Sequence, residues 1–234
     1  MKPISIVENI DCIEGMKQFP DKFFQLGLID PPYGINAPIM ANTPTQRKAV
    51  NRLQRLNGGG GKLKNRVLNT AKNINWDDKI PSEEYFKELF RVCQNVIIWG
   101  GNYFPLPPSR CIIVWDKCQP WENFSQVEIA WTSFDSPAQL FKFDNRTGGK
   151  IHPTQKPVEL YTYLLEKYAK KGDRILDTNL GSQSSRIAAY KKGFDFWGFE
   201  IDKDYFEQGN ERFEKSIAMP LFDAPVEQKQ SSLF

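Results

Sequence analysis

The sequence predicts an α/β protein built on one open sheet, and three observations carry that prediction. Residues 23–29 form an aromatic and β-branched run that Pro31 and Pro32 must end, because neither proline can donate a ladder hydrogen bond. Residues 174–200 read as strand, glycine-containing loop, helix, strand and terminal acid. The 34 residues after Glu200 are too few to complete a sheet around that second unit, so its missing strands must come from the amino-terminal half. Asp30 and Asp177 then end strands of a single sheet and open on its carboxyl edge, where ligands bind in such folds.

At 234 residues the chain can bury one sizeable core, and a single domain over residues 1–217 with a tail over 218–234 is the expected organisation. The net charge of +3 and isoelectric point near 8.5 permit an acidic partner without requiring one, so local charge has to decide. Four cysteines, Cys12, Cys93, Cys111 and Cys118, include no Cys-x-x-Cys pair, and His152 is the only histidine. That pattern argues against a metal site and against a disulfide framework. Glu8 interrupts the first apolar run too early for a signal peptide, and no later run is long enough for a bilayer. The expectation is a cytoplasmic protein with no membrane contact, monomeric or homodimeric.

The chain opens as strand, helix, strand. Residues 4–7 give a short strand, residues 12–19 a short helix, and Pro20-Asp21 turns the chain into the strand that ends at Asp30. The loop at 9–12 opens on the same edge, so Asp11 reads as a helix cap and also as a residue within reach of a ligand there. Asp30, a proline carbonyl and the Tyr33 ring make a rigid polar corner; the plain alternative is a strand stop followed by a turn.

Residues 34–73 carry Arg47, Lys48, Arg52, Arg55, Lys62, Lys64, Arg66 and Lys72, four consecutive glycines from Gly58 to Gly61, and no aspartate or glutamate. A single-sign stretch directly behind a pocket motif is the footprint of a polyanion, because each phosphate neutralised releases counterions. These basic residues are the candidate nucleic-acid contacts; a solvated like-charge loop is the plainer reading.

Pro81-Ser82 starts a helix whose Tyr85, Phe86, Leu89, Phe90 and Cys93 recur at helical spacing and face the sheet. Residues 95–99 and 111–115 are short β-rich runs bounded by Gly100-Gly101 and a proline-rich link. Residues 127–131 and 139–143, split by Asp135-Ser-Pro137, are expected to form an antiparallel pair. Trp76, Trp121 and Phe124 are candidates for stacking platforms and equally for core packing.

In the second unit a strand ends at Asp177, Gly181 and Ser182 lie in the loop, residues 184–192 form a helix stopped by Gly193, and a last strand leads to Glu200. Such a unit suits a nucleoside: the loop lets a ligand approach the backbone, the helix start favours an anion, and the acid holds ribose hydroxyls. Gln183 stands where a dinucleotide fingerprint has its second glycine, so a methionine carboxylate suits this helix start better than a pyrophosphate.

Three separated motifs resemble a family. Asp30-Pro-Pro-Tyr33, then His152-Pro-Thr-Gln-Lys-Pro157, then Leu176-Asp-Thr-Asn-Leu-Gly-Ser182 with Gly198-Phe-Glu-Ile-Asp202 are similar in order and spacing to the S-adenosylmethionine-dependent DNA amino-methyltransferases. The arrangement is the permuted one, often called the β class, whose catalytic motif precedes the cofactor motif. The resemblance implies a Rossmann-like methyltransferase fold: a mixed, mostly parallel sheet with helices on both faces and circularly permuted motif order. It implies one methyltransferase domain over 1–217, with a basic target-recognition insertion at 35–75 and a cofactor-binding half at 150–217. The implied cofactor is S-adenosylmethionine, the implied substrate double-stranded DNA, and the family's setting restriction–modification.

In the same reading Asp30, Pro31, Pro32 and Tyr33 are catalytic. The Asp30 carboxylate and Pro31 carbonyl accept hydrogen bonds from an exocyclic amine, and Tyr33 stacks on a base flipped out of the duplex. Glu200 binds the cofactor ribose, Asp177, Gly181 and Ser182 surround its methionine part, Asp11 and Cys12 lie by its adenine, and His152, Thr154 and Lys156 complete the site. The aspartate heading the catalytic motif resembles the adenine-N6 enzymes, whereas cytosine-N4 enzymes more often carry serine there. The loop departs from the family's Asp-Pro-Phe and Gly-Ser-Gly at Thr178-Asn179 and Gln183. Cytosine-N4 methylation and a non-catalytic DNA-binding relative with an impaired cofactor loop are the competing readings. The final Gln230-Ser-Ser-Leu-Phe234 resembles peptides that bind bacterial sliding clamps, with Gln230, Leu233 and Phe234 as the contacts; plain disorder is the alternative.

Overall fold

A computed structural model describes residues 2–35, 77–119, 125–144, 151–152 and 154–218. The basic residues Arg47, Lys48, Arg52, Arg55, Lys62, Lys64, Arg66 and Lys72, the aromatics Trp76, Trp121 and Phe124, and the tail residues Gln230, Leu233 and Phe234 lie outside the described residues.

The chain opens with β1 (Ser5–Glu8), α1 (Cys12–Lys17) and β2 (Phe24–Ile29). Asp11 starts α1 by accepting the amides of Ile13 at 2.9 Å and Glu14 at 3.3 Å, which satisfies two of the donors that a helix start leaves open. Ser82 caps α2 (Glu83–Val92) in the same way through Tyr85 N, and α2 runs directly into β3 (Cys93–Trp99). Then come β4 (Ile112–Asp116), β5 (Val127–Thr132) and β6 (Gln139–Lys142). The second unit is α3 (Val158–Tyr168), β7 (Arg174–Asp177), α4 (Ser184–Lys192), β8 (Asp195–Phe199) and α5 (Lys203–Ala218). The sequence reading assigned no element to the stretch that forms α5.

The eight described strands form one sheet in the order β1-β8-β7-β2-β3-β5-β4-β6. Only β5 runs against the rest, so the sheet is mixed and mostly parallel, as expected. β2 pairs with β7 through Leu26↔Ile175 and Gly27↔Leu176, which unites the two sequence units in one sheet. Adjacent residues of β3 serve opposite faces. Ile97 and Trp99 join α3 and α4 on one side, while Val96 and Ile98 join α1 and α2 on the other. Helices thus cover both faces. α5 packs outside α4, with the Phe213 ring under the Arg186 guanidinium at 3.7 Å and edge-on to Tyr190.

The expected pairing of residues 127–131 with 139–143 is corrected. β5 and β6 run in opposite directions, but β4 lies between them, antiparallel to β5 and parallel to β6. Burial explains the order. Ile113 and Trp115 of β4 are fully buried and need a strand on each side, whereas four-residue β6 exposes Leu140 and Lys142 and suits an edge. Residues 133–138 carry the chain past the amino end of β4, where Asp135 meets Arg110 at 3.0 Å.

Among the described residues no helix is long and apolar enough to cross a membrane, and no group of three or more His, Cys, Asp or Glu is placed to hold a metal ion. All four cysteines carry free thiols.

Candidate functional site

From β2 the chain proceeds to β3 on one side of the sheet, and from β7 to β8 on the other, so the order reverses between β2 and β7. A crevice opens at such a switch point, beyond the strands' carboxyl ends. Here it is a cavity of about 230 Å³. Asp30, Pro31, Pro32 and Tyr33 line it from β2; Asn179, Gly181, Ser182 and Glu200 line it from β7 and β8. His152, Thr154 and Lys156, on the segment leading into α3, lie between the two sets.

The Asp30 side is a network of charges. Tyr33 Oη donates to Asp30 Oδ1 at 2.8 Å. The Lys156 ammonium donates to the same Asp30 oxygen and to Tyr33 Oη at 3.1 Å, and lies 3.2 Å from Glu128 Oε2. Its side chain is 2% exposed, and it lies 5.5 Å from the centre of the Trp99 ring and 5.6 Å from that of Tyr33. Lys117 holds the other Glu128 oxygen. Asp30 Oδ2 has no hydrogen-bond partner among the described residues. Burial raises the Asp30 carboxyl above its ordinary value and the Lys156 charge opposes it. Lys156 and Lys117 hold the Glu128 carboxyl down at about 2 despite burial.

Local geometry fixes Tyr33. Its ring stacks on Tyr103 with centroids 5.2 Å apart and planes 18° from parallel. It also lies against Gly100, whose φ is 69° and where a Cβ would stand 2.3 Å from the ring, so only glycine fits. Asp77 Oδ1 accepts the amides of Tyr33 at 2.6 Å and Gly34 at 2.9 Å, tying the motif to the residue that closes the undescribed 36–76 segment.

On the other side Asp177 is buried behind the lining residues, where Oδ2 accepts Ser185 Oγ at 2.5 Å and Oδ1 accepts the Asn179 amide at 3.0 Å. Burial pushes this carboxyl up to about 7. Glu200 Oε2 accepts the Gly181 amide at 2.8 Å and Oε1 the Asp202 amide at 2.9 Å, so the acid ending β8 shapes the loop after β7. The His152 ring meets Tyr205 at 4.4 Å, and burial beside the Lys156 charge lowers its pKa to about 3. Ser182 Oγ lies 3.2 Å from Ser184 Oγ at the start of α4.

Asp11 and Cys12 do not line the cavity: Asp11 caps α1, and Cys12 packs with the α1–α2 core, where burial raises its thiol to about 12. Nor does Gln183. Its buried side chain turns towards α5, where Nε2 donates to Asn210 Oδ1 at 3.1 Å and Oε1 accepts Arg186 Nη1 at 2.8 Å. Sequence reasoning missed Glu128, Asp77 and Tyr161. Glu128 is a charged residue inside an otherwise apolar strand pattern, the only signal it offered. Tyr161 lies on the buried face of α3 and Asp77 in a turn, and neither position by itself marks a site residue.

The family described as DNA methylase, N6_N4_Mtase, matches residues 110–211. Among curated proteins, the Type II methyltransferase M2.DpnII of Streptococcus pneumoniae is 28% identical over 149 residues, 64% of this chain and 52% of that protein. The Type II methyltransferase M2.LlaDCHI of Lactococcus lactis subsp. cremoris is 26% identical over 156 residues, 67% and 54%. The chain therefore spans about half the length of the curated relatives it matches. Among solved structures, TTHA0409 of Thermus thermophilus complexed with S-adenosyl-L-methionine superposes with a TM-score of 0.56 at 16% identity, covering 92% of this chain and 95% of the other. The cytosine-N4-specific PvuII DNA methyltransferase does so with a TM-score of 0.56 at 14% identity, covering 92% and 93%. Both likenesses concern the fold, the Rossmann-like methyltransferase one.

Proposed function

We propose that this relative of the N6/N4 DNA methylases transfers a methyl group from S-adenosylmethionine to the exocyclic N6 amine of an adenine flipped out of duplex DNA. The observation that carries the reading is the meeting of two motifs at one cavity: Asp30 and Tyr33 face Gly181, Ser182 and Glu200 across the switch point.

The residues present fit the cofactor. Each Glu200 oxygen accepts one backbone amide and keeps a lone pair for a ribose hydroxyl. The start of α4 favours a carboxylate, and Ile201, 71% exposed at the rim, offers apolar cover for a flat ring. Gln183 leaves the methionine end clear because its side chain is committed to α5. Bound there, the cofactor supplies an electrophilic methyl carbon on a sulfonium.

Asp30 Oδ2 and the Pro31 carbonyl accept the two N–H bonds of the target amine and turn its lone pair into the cavity. Transfer of that methyl to the amine would release a neutral thioether and leave the nitrogen with one proton too many. Asp30, its carboxyl raised by burial, receives that proton before solvent does. Tyr33 stacks on the extruded base, offsetting part of the few kcal/mol that flipping costs. Arg47, Lys48, Arg52, Arg55, Lys62, Lys64, Arg66 and Lys72 are proposed as phosphate contacts, and Gln230, Leu233 and Phe234 as a clamp-binding end. The aspartate at position 30 supports adenine as the target.

The test is transfer of labelled methyl from S-adenosylmethionine to duplex DNA, followed by nucleoside analysis. N6-methyladenine is expected. N4-methylcytosine would keep the reaction class and overturn the target base. No labelled DNA, together with no cofactor binding by calorimetry, would overturn the enzyme reading.

A further inference from the structure

The Lys156 ammonium stands between two carboxylates that reach it from different strands: Asp30 at the end of β2 and Glu128 within the reversed strand β5. Neither the catalytic motif nor the cofactor loop includes Glu128, yet it lines the same cavity. Lys117 anchors its outer oxygen and leaves Oε2 turned to Lys156. The four side chains Asp30, Lys156, Glu128 and Lys117 form a row of alternating charge with no net charge, which lets it stay ionised where the lysine is almost wholly removed from water.

A lysine paired with Asp30 alone would draw the carboxylate's charge onto itself and weaken Asp30 as an acceptor. A second carboxylate on the far side of the ammonium divides that pull. Both donors that reach Asp30, Lys156 Nζ and Tyr33 Oη, meet Oδ1, and Asp30 lines the cavity, so Oδ2 is the oxygen open to a further donor. We infer that Glu128 is a positioning residue for methyl transfer, holding Lys156 between two carboxylates so that Asp30 keeps one oxygen free and basic enough to take the amine's hydrogen bond and then its proton. The inference rests on the proposed methyl transfer.

The groups facing this row define the pH response. Glu128 raises the Asp30 carboxyl by like-charge repulsion, and Lys156 and the Tyr33 hydroxyl lower it. Tyr161 and Asp177 feel the Asp30 charge from α3 and β7, and His152 feels the Lys156 charge. Glu128→Gln keeps shape but ends the repulsion on Asp30 and leaves Lys156 to Asp30 alone, and both changes make the Asp30 carboxyl titrate at lower pH.

The experiment uses the full chain with S-adenosylmethionine and duplex DNA. Glu128→Gln is expected to lower kcat about tenfold, move the acid limb of the kcat profile to lower pH, and leave the cofactor dissociation constant within about twofold. Carbon-13 resonances of labelled aspartate, read without cofactor, should show the same downward move for Asp30. Glu128→Asp should return the limb towards its wild-type position. With active wild type, unchanged kcat, limb and Asp30 titration in Glu128→Gln would overturn the inference. So would a loss matched by equal losses of cofactor affinity and melting temperature, because that is a brace and nothing more. A wild-type protein that transfers no methyl to DNA would remove the functional reading itself, and this inference with it.

Discussion

Gln183 and Gly209 are in contact: a Cβ on Gly209 would stand 2.7 Å from Gln183 Cγ. Gln183 occupies the left-handed region at φ 58°, ψ 30°, a conformation that costs a non-glycine residue about 1–2 kcal/mol. Bonds to Arg186 and Asn210 offset that cost, and a glycine in the middle of α5 makes the room.

Gly209→Ala therefore gains about 1 kcal/mol of helix propensity but overpacks a buried contact by about 1–3 kcal/mol, for a net loss of stability. In a Gln183→Gly background the obstruction is gone, and the same alanine should become neutral or stabilising. Thermal unfolding of both single variants and the double variant checks this; additive effects would mean the contact carries no coupling.

Two buried groups should give opposite pH dependences. Asp177 titrates at about 7 in the fold and near 3.9 unfolded, so between these values the folded state keeps a proton that the unfolded chain has lost. Stability from this group falls as pH rises through that window. His152 titrates at about 3 folded and near 6.5 unfolded, so its contribution rises with pH over nearly the same range. Relative to wild type, Asp177→Asn should gain melting temperature as pH climbs from 4 to 7, and His152→Phe should gain it as pH drops below 6.5. Constant offsets across that range would contradict both shifts.

The α/β unit from Arg174 to Glu200 was legible because its pattern is local: a glycine-stopped helix between two short apolar runs, with acids at the strand ends. The union of β2 with β7 followed from counting the residues left over. The sheet's far edge was not legible, because whether β5 lies beside β6 or beside β4 depends on which strand needs two neighbours, and that is a property of the packed sheet. The site divides in the same way. Asp30, Tyr33, Gly181 and Glu200 sit at strand ends that sequence can find, but Glu128 reaches the cavity only because β5 reverses. Asp11 caps α1, one of the two readings its sequence position allowed.

Tyr33 carries two separable functions, a ring and a hydroxyl. Tyr33→Phe removes a donor to Asp30 and an acceptor for Lys156 but keeps the stack on Tyr103, so kcat should fall about tenfold with little change in DNA affinity. Tyr33→Ala removes the platform as well, and base stacking worth about 1–3 kcal/mol should then appear as weaker binding of DNA. Steady-state kinetics beside DNA titrations separate the two. Equal loss of DNA affinity in both variants would argue that the hydroxyl, not the ring, meets the base.

Asp77 is 1% exposed, and one of its oxygens holds the Tyr33 and Gly34 amides, so it fixes the backbone that carries the stacking ring. Hydrogen bonds to a charged acceptor contribute about 1.5–3 kcal/mol each, and losing them frees Tyr33 before it unfolds the sheet behind it. Asp77→Ala should therefore raise amide hydrogen exchange at Tyr33 and Gly34 and reduce kcat by more than tenfold. The cofactor dissociation constant should stay near wild type, because Gly181 and Glu200 lie on the other side of the cavity. Asp77→Asn keeps a carbonyl acceptor and should lose less of both. Equal damage from the two variants would point to the charge itself, acting on the Asp30–Lys156 row, rather than to the two amide bonds.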